Sequence, residues 1–429
     1  MKEINLNHIC KIEGHADLAL KIKNNKVETC ELRTTEGARF FEALVINKNV
    51  NDVQEIVSRI CGICSSAHSV ASIQALEEAL EIKPTKQQEI IRELLMIGER
   101  IRSNATHLYF LALPDYYNKP SVLQLGSEHK DKINNAITLI SLGNKIIETL
   151  SGREIHPFLK LKKEPIINPE LFQTKIKNLQ TLLKSSKQVL TKTIELFKNL
   201  KYPSIEREAD YLCLTENNKY ATISGKITSS SGLIDDNDYK KHLKENIKEY
   251  ATSKFVLQDG KPYQLGAIAR INKNHNQLDN ETKSYLKNFS LPFNNPFQNN
   301  IAQALELLHL TNHAILLLEN LNLEKTTLPK SSIPLNLKSR IGISAVEAPR
   351  GTLFHEYTIN PQGKITRCNI ITPTTQNLNM MEVDIITLVD NHLKNNKSKK
   401  QIIDEVEKLI RAYDPCFSCS THFLRVKWL

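Results

Sequence analysis

Two Cys-x-x-Cys pairs, Cys61/Cys64 and Cys416/Cys419, stand near opposite ends of a 429-residue chain, so only a fold that closes its ends on each other makes them one site. Each pair sets two thiols three positions apart, close enough to hold one ion. Four thiolates at one point suit zinc, iron or nickel, because soft sulfur ligands favour these over hard ions. Zinc ribbons and fingers space their pairs by only about 15 to 20 residues, so a zinc staple across this whole chain is unusual. Two independent thiol redox pairs call for a βαβ setting that neither segment displays. A redox-active metal held by all four is the leading reading, with zinc or unrelated thiols as alternatives.

Composition sets the surroundings of those thiols. With 40% hydrophobic and 24% charged residues the chain is built for a large folded core. No run approaches the roughly 18 to 20 apolar residues of a membrane span, and no basic segment with an apolar stretch opens the sequence. The expectation is a cytoplasmic protein, where such pairs are metal ligands or redox groups rather than structural disulfides. The net charge of +10 is spread over small groups such as Lys240 and Lys241, with no aromatic interleaving and no nucleic-acid module. It reads as a solvated surface, in part facing an acidic partner.

Periodicity predicts a mainly helical α+β protein. Residues His15–Ile22 and Lys26–Arg33 alternate around the turn-prone Asn24-Asn25, and Ala43–Asn47 reads as a further short strand. Ile90, Leu94, Ile97, Ile101, Ala105 and Leu108 recur at helical spacing and predict a helix over Lys86–Leu113, stopped by Pro114. Further helices are expected over His129–Leu150, Pro169–Asn199, Ile301–Asn320, Asp384–Asn395 and Ser398–Tyr413. Leu353–Tyr357 and Ile365–Ile371 form a hairpin around Asn360-Pro361-Gln362-Gly363. Residues 201–300 carry no chemistry that the sequence exposes. No linker or repeat divides the chain, so residues 1–429 read as one domain.

The cysteine segments Arg59-Ile-Cys-Gly-Ile-Cys-Ser-Ser-Ala-His68 and Asp414-Pro-Cys-Phe-Ser-Cys-Ser-Thr-His422 resemble the N- and C-terminal signatures of [NiFe] hydrogenase large (alpha) subunits. Intervening segments match in order: Ile12-Glu-Gly-His15, Arg39-Phe-Phe-Glu42, His107 ahead of Leu-Pro-Asp115, Gly152-Arg-Glu-Ile-His-Pro157, Glu347-Ala-Pro-Arg-Gly-Thr-Leu-Phe-His355 and Pro373-Thr-Thr-Gln-Asn377. The likeness runs from residue 12 to 422 and looks closest to the cytoplasmic, bidirectional, sulfhydrogenase-like branch. It implies that family's fold, a central helical bundle with a β-containing N-terminal region.

The resemblance also implies roles. Cys61 and Cys416 would be terminal nickel ligands, and Cys64 and Cys419 would bridge nickel to an iron carrying CO and two cyanides. Arg350 would lie over the metals, with Pro349 and the Thr374 hydroxyl lining the cyanide pocket. Glu13 would take the first proton from a terminal cysteine, a task suited to a positioned carboxyl. His68 would hydrogen-bond a bridging sulfur, and His107 would support the site from further out. Glu42, His422 and the backbone carbonyl of Ile370 would hold a distal Mg or second Fe ion. The activity implied is reversible cleavage of H2 to protons and electrons.

Cys10, Cys30, Cys213 and Cys368 are isolated, so no iron–sulfur cluster is encoded here and electrons must leave through a small subunit that carries such clusters. Diaphorase-type subunits delivering to NAD(P) are the expected partners; deazaflavin-reducing and heterodisulfide-linked enzymes are the alternatives within the family. Residues 423–429 match a tail that a maturation endopeptidase removes once nickel is inserted. Departures are few: Ser103 stands where some relatives carry Asp, Asn104 where His is common, and Leu-Lys-Leu-Lys-Lys replaces a glycine-rich stretch after Pro157. Two rivals remain from other classes. One is the quinone-binding subunit of respiratory complex I, which lacks the cysteine quartet; the other is a zinc-stapled structural protein.

Overall fold

The computed structural model describes residues 2–421 apart from 158, 160–168, 206 and 322–338. Three antiparallel strands open the chain: β1 (Lys2–Leu6), β2 (Ala16–Lys23) and β3 (Lys26–Thr34). Alternation puts Ala16, Leu18, Leu20 and Ile22 on one buried face. That face joins a core with Leu378, Ile385, Leu388, Val406 and Leu409, so the two ends of the chain are packed together by apolar burial.

The centre is helical. Helix α1 (Ser65–Leu80) starts at Cys64, and α2 (Lys86–Thr106) starts at a capping box in which Thr85 and Gln88 satisfy each other's backbone N–H groups. Helix α3 (Lys130–Ser151) crosses α2 where Gly98 meets Gly143. A Cβ on Gly143 would lie 2.5 Å from the Gly98 carbonyl oxygen, so only glycine permits this approach. Helix α4 (Ala267–Asn274) and α5 (Asn299–Glu319) complete the bundle. Among the described residues the Pro296–Glu319 stretch that contains α5 is the one helical segment apolar and long enough to cross a membrane, and 72% of its most apolar 18-residue window is buried inside the protein. It is apolar on all sides because it is surrounded, except for a polar row of Asn299, Gln303 and Glu306.

A second meander, β4 (Arg340–Ala348), β5 (Gly351–Ile359) and β6 (Ile365–Ile371), packs on α1. The fit is close: a Cβ on Gly342 would fall 1.9 Å from the Ala75 carbonyl oxygen. Because Ala348 pairs with Gly351, the β4–β5 turn is two residues long, and they are Pro349 and Arg350. Helices α6 (Pro373–Lys394) and α7 (Lys399–Ala412) then lead to the second cysteine pair.

The structure agrees with the expected α+β class and corrects several elements. Residues 43–47 are not a strand: Phe41–Leu44 is a helical turn bracketed by left-handed Phe40 and Asn47. Only the end of that segment reaches a sheet, where the Asn47 N–H donates to the Ile365 carbonyl. The long helix does not stop at Pro114. A π-helical stretch, His107–Ala112, precedes a last turn Leu113–Tyr116, so the proline opens a new turn where a missing N–H costs little. The Pro169–Asn199 helix breaks at Ser186 into Pro169–Ser185 and Lys187–Lys198. Helix α6 begins eleven residues before the expected Asp384, because its first turns bury polar Thr374, Thr375, Gln376 and Asn377, which carry no apolar rhythm. Helix α1 and strand β4 were not apparent in the sequence.

Candidate metal centre

The two cysteine pairs meet. Cys61 follows a 3-10 turn, Cys64 caps α1, and Cys416 sits in extended backbone ahead of the short helix Phe417–Ser420. The Cys61 and Cys416 sulfurs are 3.6 Å apart, those of Cys64 and Cys419 are 3.1 Å apart, and all four lie within 4.8 Å of one another. All four are buried, and none is in a disulfide. Crowding of this kind cannot be held by four thiolates alone. Contact with Cys416, Cys419 and Cys64 pulls the Cys61 thiol well below its usual range, while burial pushes Cys64 up to about 11 and raises Cys416 and Cys419 further. A cation at the centre favours the charged form of every sulfur and stabilises all four as thiolates.

Beside the sulfurs lies a small cavity of about 10 Å³ lined by Cys64, Cys416, Cys419 and His68, and by Ala348, Pro349, Arg350, Leu353, Pro373 and Thr374. A structural zinc site, whose four ligands close the ion off, has no need of the arginine side chain that lines this one. Arg350 reaches the cavity from the tip of the β4–β5 hairpin. Its Nε donates to the Asp414 carbonyl at 2.6 Å and its Nη2 to Asp414 Oδ1 at 2.9 Å, whereas Nη1 is buried with no protein partner. Burial works against its charge, but Asp414 and the neighbouring cysteines outweigh that and hold the proton more firmly than usual. Thr374, on the cavity wall, accepts the Cys416 N–H at its Oγ1 at 3.0 Å, a bond that leaves the hydroxyl proton free to donate. A soft sulfur quartet, an apolar wall and one unsatisfied guanidinium nitrogen together fit a nickel–iron group with small anionic ligands.

Glu13 meets the quartet from the N-terminal region. Residues 13 and 416 form a parallel bridge in which Phe417 N donates to the Glu13 carbonyl at 2.9 Å. Glu13 Oε2 then lies 2.9 Å from Cys416 Sγ and 3.1 Å from Ser418 N. Outward of it, His15 Nδ1 pairs with Glu36 Oε2 at 2.8 Å, and that contact raises the imidazole's pKa.

The remaining candidates separate. His68 lines the cavity, and its Nδ1 is 3.0 Å from His355 Nε2, which is held in turn by the Tyr357 hydroxyl. His107 is buried away from the sulfurs, between Gln303 Oε1 at 2.5 Å and the Arg411 carbonyl at 2.6 Å. It connects to the centre through Gln303, whose Nε2 donates to Asp414 Oδ2 at 3.3 Å, and through the Arg411 carbonyl, which also accepts the Asp414 N–H at 2.8 Å. Glu42 accepts the Ile370 N–H at 2.9 Å and pairs with Lys254 at 3.2 Å, so an ion there would share this carboxylate with an ammonium group. His422 and the 423–429 tail lie outside the described residues.

Several buried groups around the centre escaped sequence reading. Asp414 orients Arg350. Glu99 accepts the Ser66 and Ala67 N–H groups at the start of α1, and burial lifts its carboxyl to about 7. Arg100, Arg270, Glu306 and Glu347 form a fully buried ion cluster. Their signal was present but faint: charges at positions that the helical apolar pattern assigns to the interior.

Comparison with known proteins bears on the choice of metal. The family model for nickel-dependent hydrogenase matches residues 39–178 and 173–422. Sulfhydrogenase 1 subunit alpha of Pyrococcus furiosus is 32% identical over 99% of this chain and 98% of its own length. The beta subunit of the NAD-reducing hydrogenase HoxS of Cupriavidus necator is 24% identical over 99% of the chain and 95% of its own length. In fold the chain resembles a solved NAD+-reducing [NiFe]-hydrogenase, with a TM-score of 0.81, 23% identity and coverage of 98% of this chain and 100% of that one. With the four sulfurs gathered at one point and the match spanning both cysteine pairs, this chain belongs to the nickel-dependent hydrogenase family, as a large subunit.

Proposed function

We propose that this hydrogenase subunit cleaves and forms H2 heterolytically at a nickel–iron centre held by Cys61, Cys64, Cys416 and Cys419. The observation that carries the reading is the buried sulfur quartet opening onto a cavity that Arg350 shares. When bound, the nickel–iron group supplies the Lewis acidity and redox capacity that polarise H2. Cys61, Cys64, Cys416 and Cys419 would hold the nickel–iron group, and Pro349, Leu353 and Thr374 would line the space beside its small diatomic ligands, CO and cyanide.

The protein's own part is proton handling and electrostatics. Cys416 Sγ holds the proton released on cleavage and passes it to Glu13 Oε2, 2.9 Å away. Ser418 N keeps that carboxyl oriented, and the nearby His15–Glu36 pair leads towards the surface. Arg350 presents a fixed positive charge to the cavity, and the apolar wall of Ala348, Pro349, Leu353 and Pro373 keeps water sparse, which strengthens that charge. His68, on the cavity wall, tunes a bridging sulfur, while His107 acts remotely through Gln303 and Asp414.

Relatives named as alpha subunits of sulfhydrogenases imply a small-subunit partner. We assign that partner the iron–sulfur clusters, and diaphorase-type subunits in the cytoplasm the onward transfer to NAD(P), the acceptor of the NAD-reducing relative. An endopeptidase would remove residues 423–429, and Glu42, His422 and the Ile370 carbonyl would hold a distal Mg or Fe ion. Metal analysis and infrared spectroscopy of the purified complex test the central reading. Nickel with iron and intrinsic CO and CN stretches support it; zinc alone sinks it. Comparing NAD(P)+, a deazaflavin and a heterodisulfide as oxidants for H2 tests the acceptor.

A further inference from the structure

We propose that Arg270, which touches neither the sulfurs nor the cavity, is a positioning residue for Arg350: it clamps the hairpin tip from which Arg350 reaches the metal centre. The proposal rests on the hydrogenase reading and adds a residue to it.

Arg270 lies on α4 and is completely buried. Its five N–H donors are all spent. Nε donates to Glu306 Oε1 at 2.6 Å, and Nη2 to Glu306 Oε2 at 2.9 Å and to the Pro349 carbonyl at 3.0 Å. Nη1 donates to Glu347 Oε2 and to the Ala348 carbonyl, both at 3.0 Å. Ala348 and Pro349 are the residues immediately before Arg350, and Pro349 forms the two-residue turn with it. A planar fork that bonds two successive carbonyls while locked on two carboxylates fixes the tip in position and in rotation. Lysine, with three donors on a flexible stem, cannot repeat that pattern.

The anchors of the fork are themselves held. Glu306 also receives Arg100 Nη2 and the Tyr220 hydroxyl, both at 2.6 Å, and Asn104 Nδ2 at 3.3 Å. Glu347 receives Leu214 N at 2.8 Å and the Thr352 hydroxyl at 2.7 Å. Gly351 closes the tip against α4's entry: a Cβ there would lie 2.5 Å from Leu265 Cβ, and its φ of +131° belongs to glycine. Stability alone gives a weak reason for such a cluster, because buried ion pairs are often no better than well-packed apolar side chains. Position gives a stronger one. Polar row residues of α5 govern Arg350 from two sides: Glu306 through Arg270 and the tip carbonyls, Gln303 through Asp414 and the guanidinium.

The test is a double-mutant cycle in the purified, nickel-loaded complex, using R270K, R350K and R270K/R350K. Turnover per nickel, nickel content and the infrared bands of the metal centre are read for each. R270K is expected to keep its nickel, lose about tenfold or more in turnover per nickel, and shift the bands in the direction that R350K shifts them. The double variant should be no slower than R350K alone, since a clamp with nothing to aim has no further effect. Losses that multiply in the double variant, or wild-type bands and turnover per nickel in R270K, overturn the proposal. Should R270K fail to accumulate, E347Q replaces it: it keeps its own oxygen acceptor but loses the charge on which Nη1 is anchored. The same non-additivity with R350K is then expected, and additivity overturns the proposal. Wild-type protein without nickel or H2 turnover would instead sink the hydrogenase reading beneath it.

Discussion

Glu13 and Cys416, from opposite ends of the chain, are joined twice: by backbone, through a parallel bridge, and by side chain, with Oε2 2.9 Å from Sγ. The backbone bridge is what gives the carboxyl its aim. Glu13→Gln keeps the shape and an oxygen to accept the Ser418 N–H, but it cannot carry a proton. We expect full nickel content and a fall in H2 turnover of about 10²- to 10⁴-fold, the usual worth of a positioned acid or base. Wild-type turnover in this variant would remove Glu13 from the proton path.

Metal binding should release protons. Burial pushes the Cys64 thiol up to about 11 and raises Cys416 and Cys419 too, so these thiols must lose protons that they hold firmly in the metal-free protein. Affinity for nickel or a substitute ion such as zinc is therefore expected to rise with pH between about 6 and 9, one tenfold step per unit for each proton displaced. Titrating metal-free protein in weakly buffered solution measures the protons directly. Cys419→Ala should leave less than stoichiometric nickel at any pH in this range.

The Arg100–Glu306–Arg270 cluster has a measurable stability consequence. Glu306 is fully buried, and despite the burial, which opposes its charge, Arg100 and Arg270 hold its carboxyl down at about 2. An unfolded glutamate titrates near 4.5, so the stabilisation is complete above that pH and is lost as pH falls towards 2. Glu306→Gln strands the buried Arg100 cation and leaves Arg270 with Glu347 as its one anion, and a loss of roughly 3 to 5 kcal/mol is expected. Chemical denaturation at neutral pH checks it; a loss below about 1 kcal/mol would show that water or a neighbour compensates.

Glu99 has the opposite sign. Burial lifts its carboxyl from 4.5 to about 7, so between these values the folded state keeps a proton that the unfolded state has released. Folding stability therefore falls as pH rises through that window, by about 3 kcal/mol if nothing compensates. Glu99→Gln, which mimics the protonated form, should match the metal-free wild type near pH 4.5 and exceed it above 7. Parallel denaturation curves for the two proteins across the window would contradict this account.

A glycine contact offers a check on packing. Gly143→Ala would place its Cβ 2.5 Å from the Gly98 carbonyl and 2.6 Å from Arg102 N, both backbone atoms. The helices α2 and α3 must then separate, at a cost of about 1 to 3 kcal/mol or more. A variant with an unchanged melting temperature would show that this crossing yields easily.

The sequence by itself determined the elements whose chemistry is periodic or local. Alternation along Ala16–Ile22 marked a half-buried strand, the apolar rhythm from Ile90 to Leu108 marked a helix, and Asn360 to Gly363 marked a turn; each is governed by neighbours within a few positions. Soft, paired sulfurs likewise announced a metal before any fold was known, and their flanking motifs announced the family. Tertiary structure alone decided how the arginine over those sulfurs is held. That Arg270 holds the carbonyls behind Arg350 and that Asp414 steers its guanidinium both depend on pairs separated by 64 to 79 residues. No periodicity records such pairs. A charged side chain reads as solvated until burial removes the water, and only then does its value lie in the few partners that replace that water.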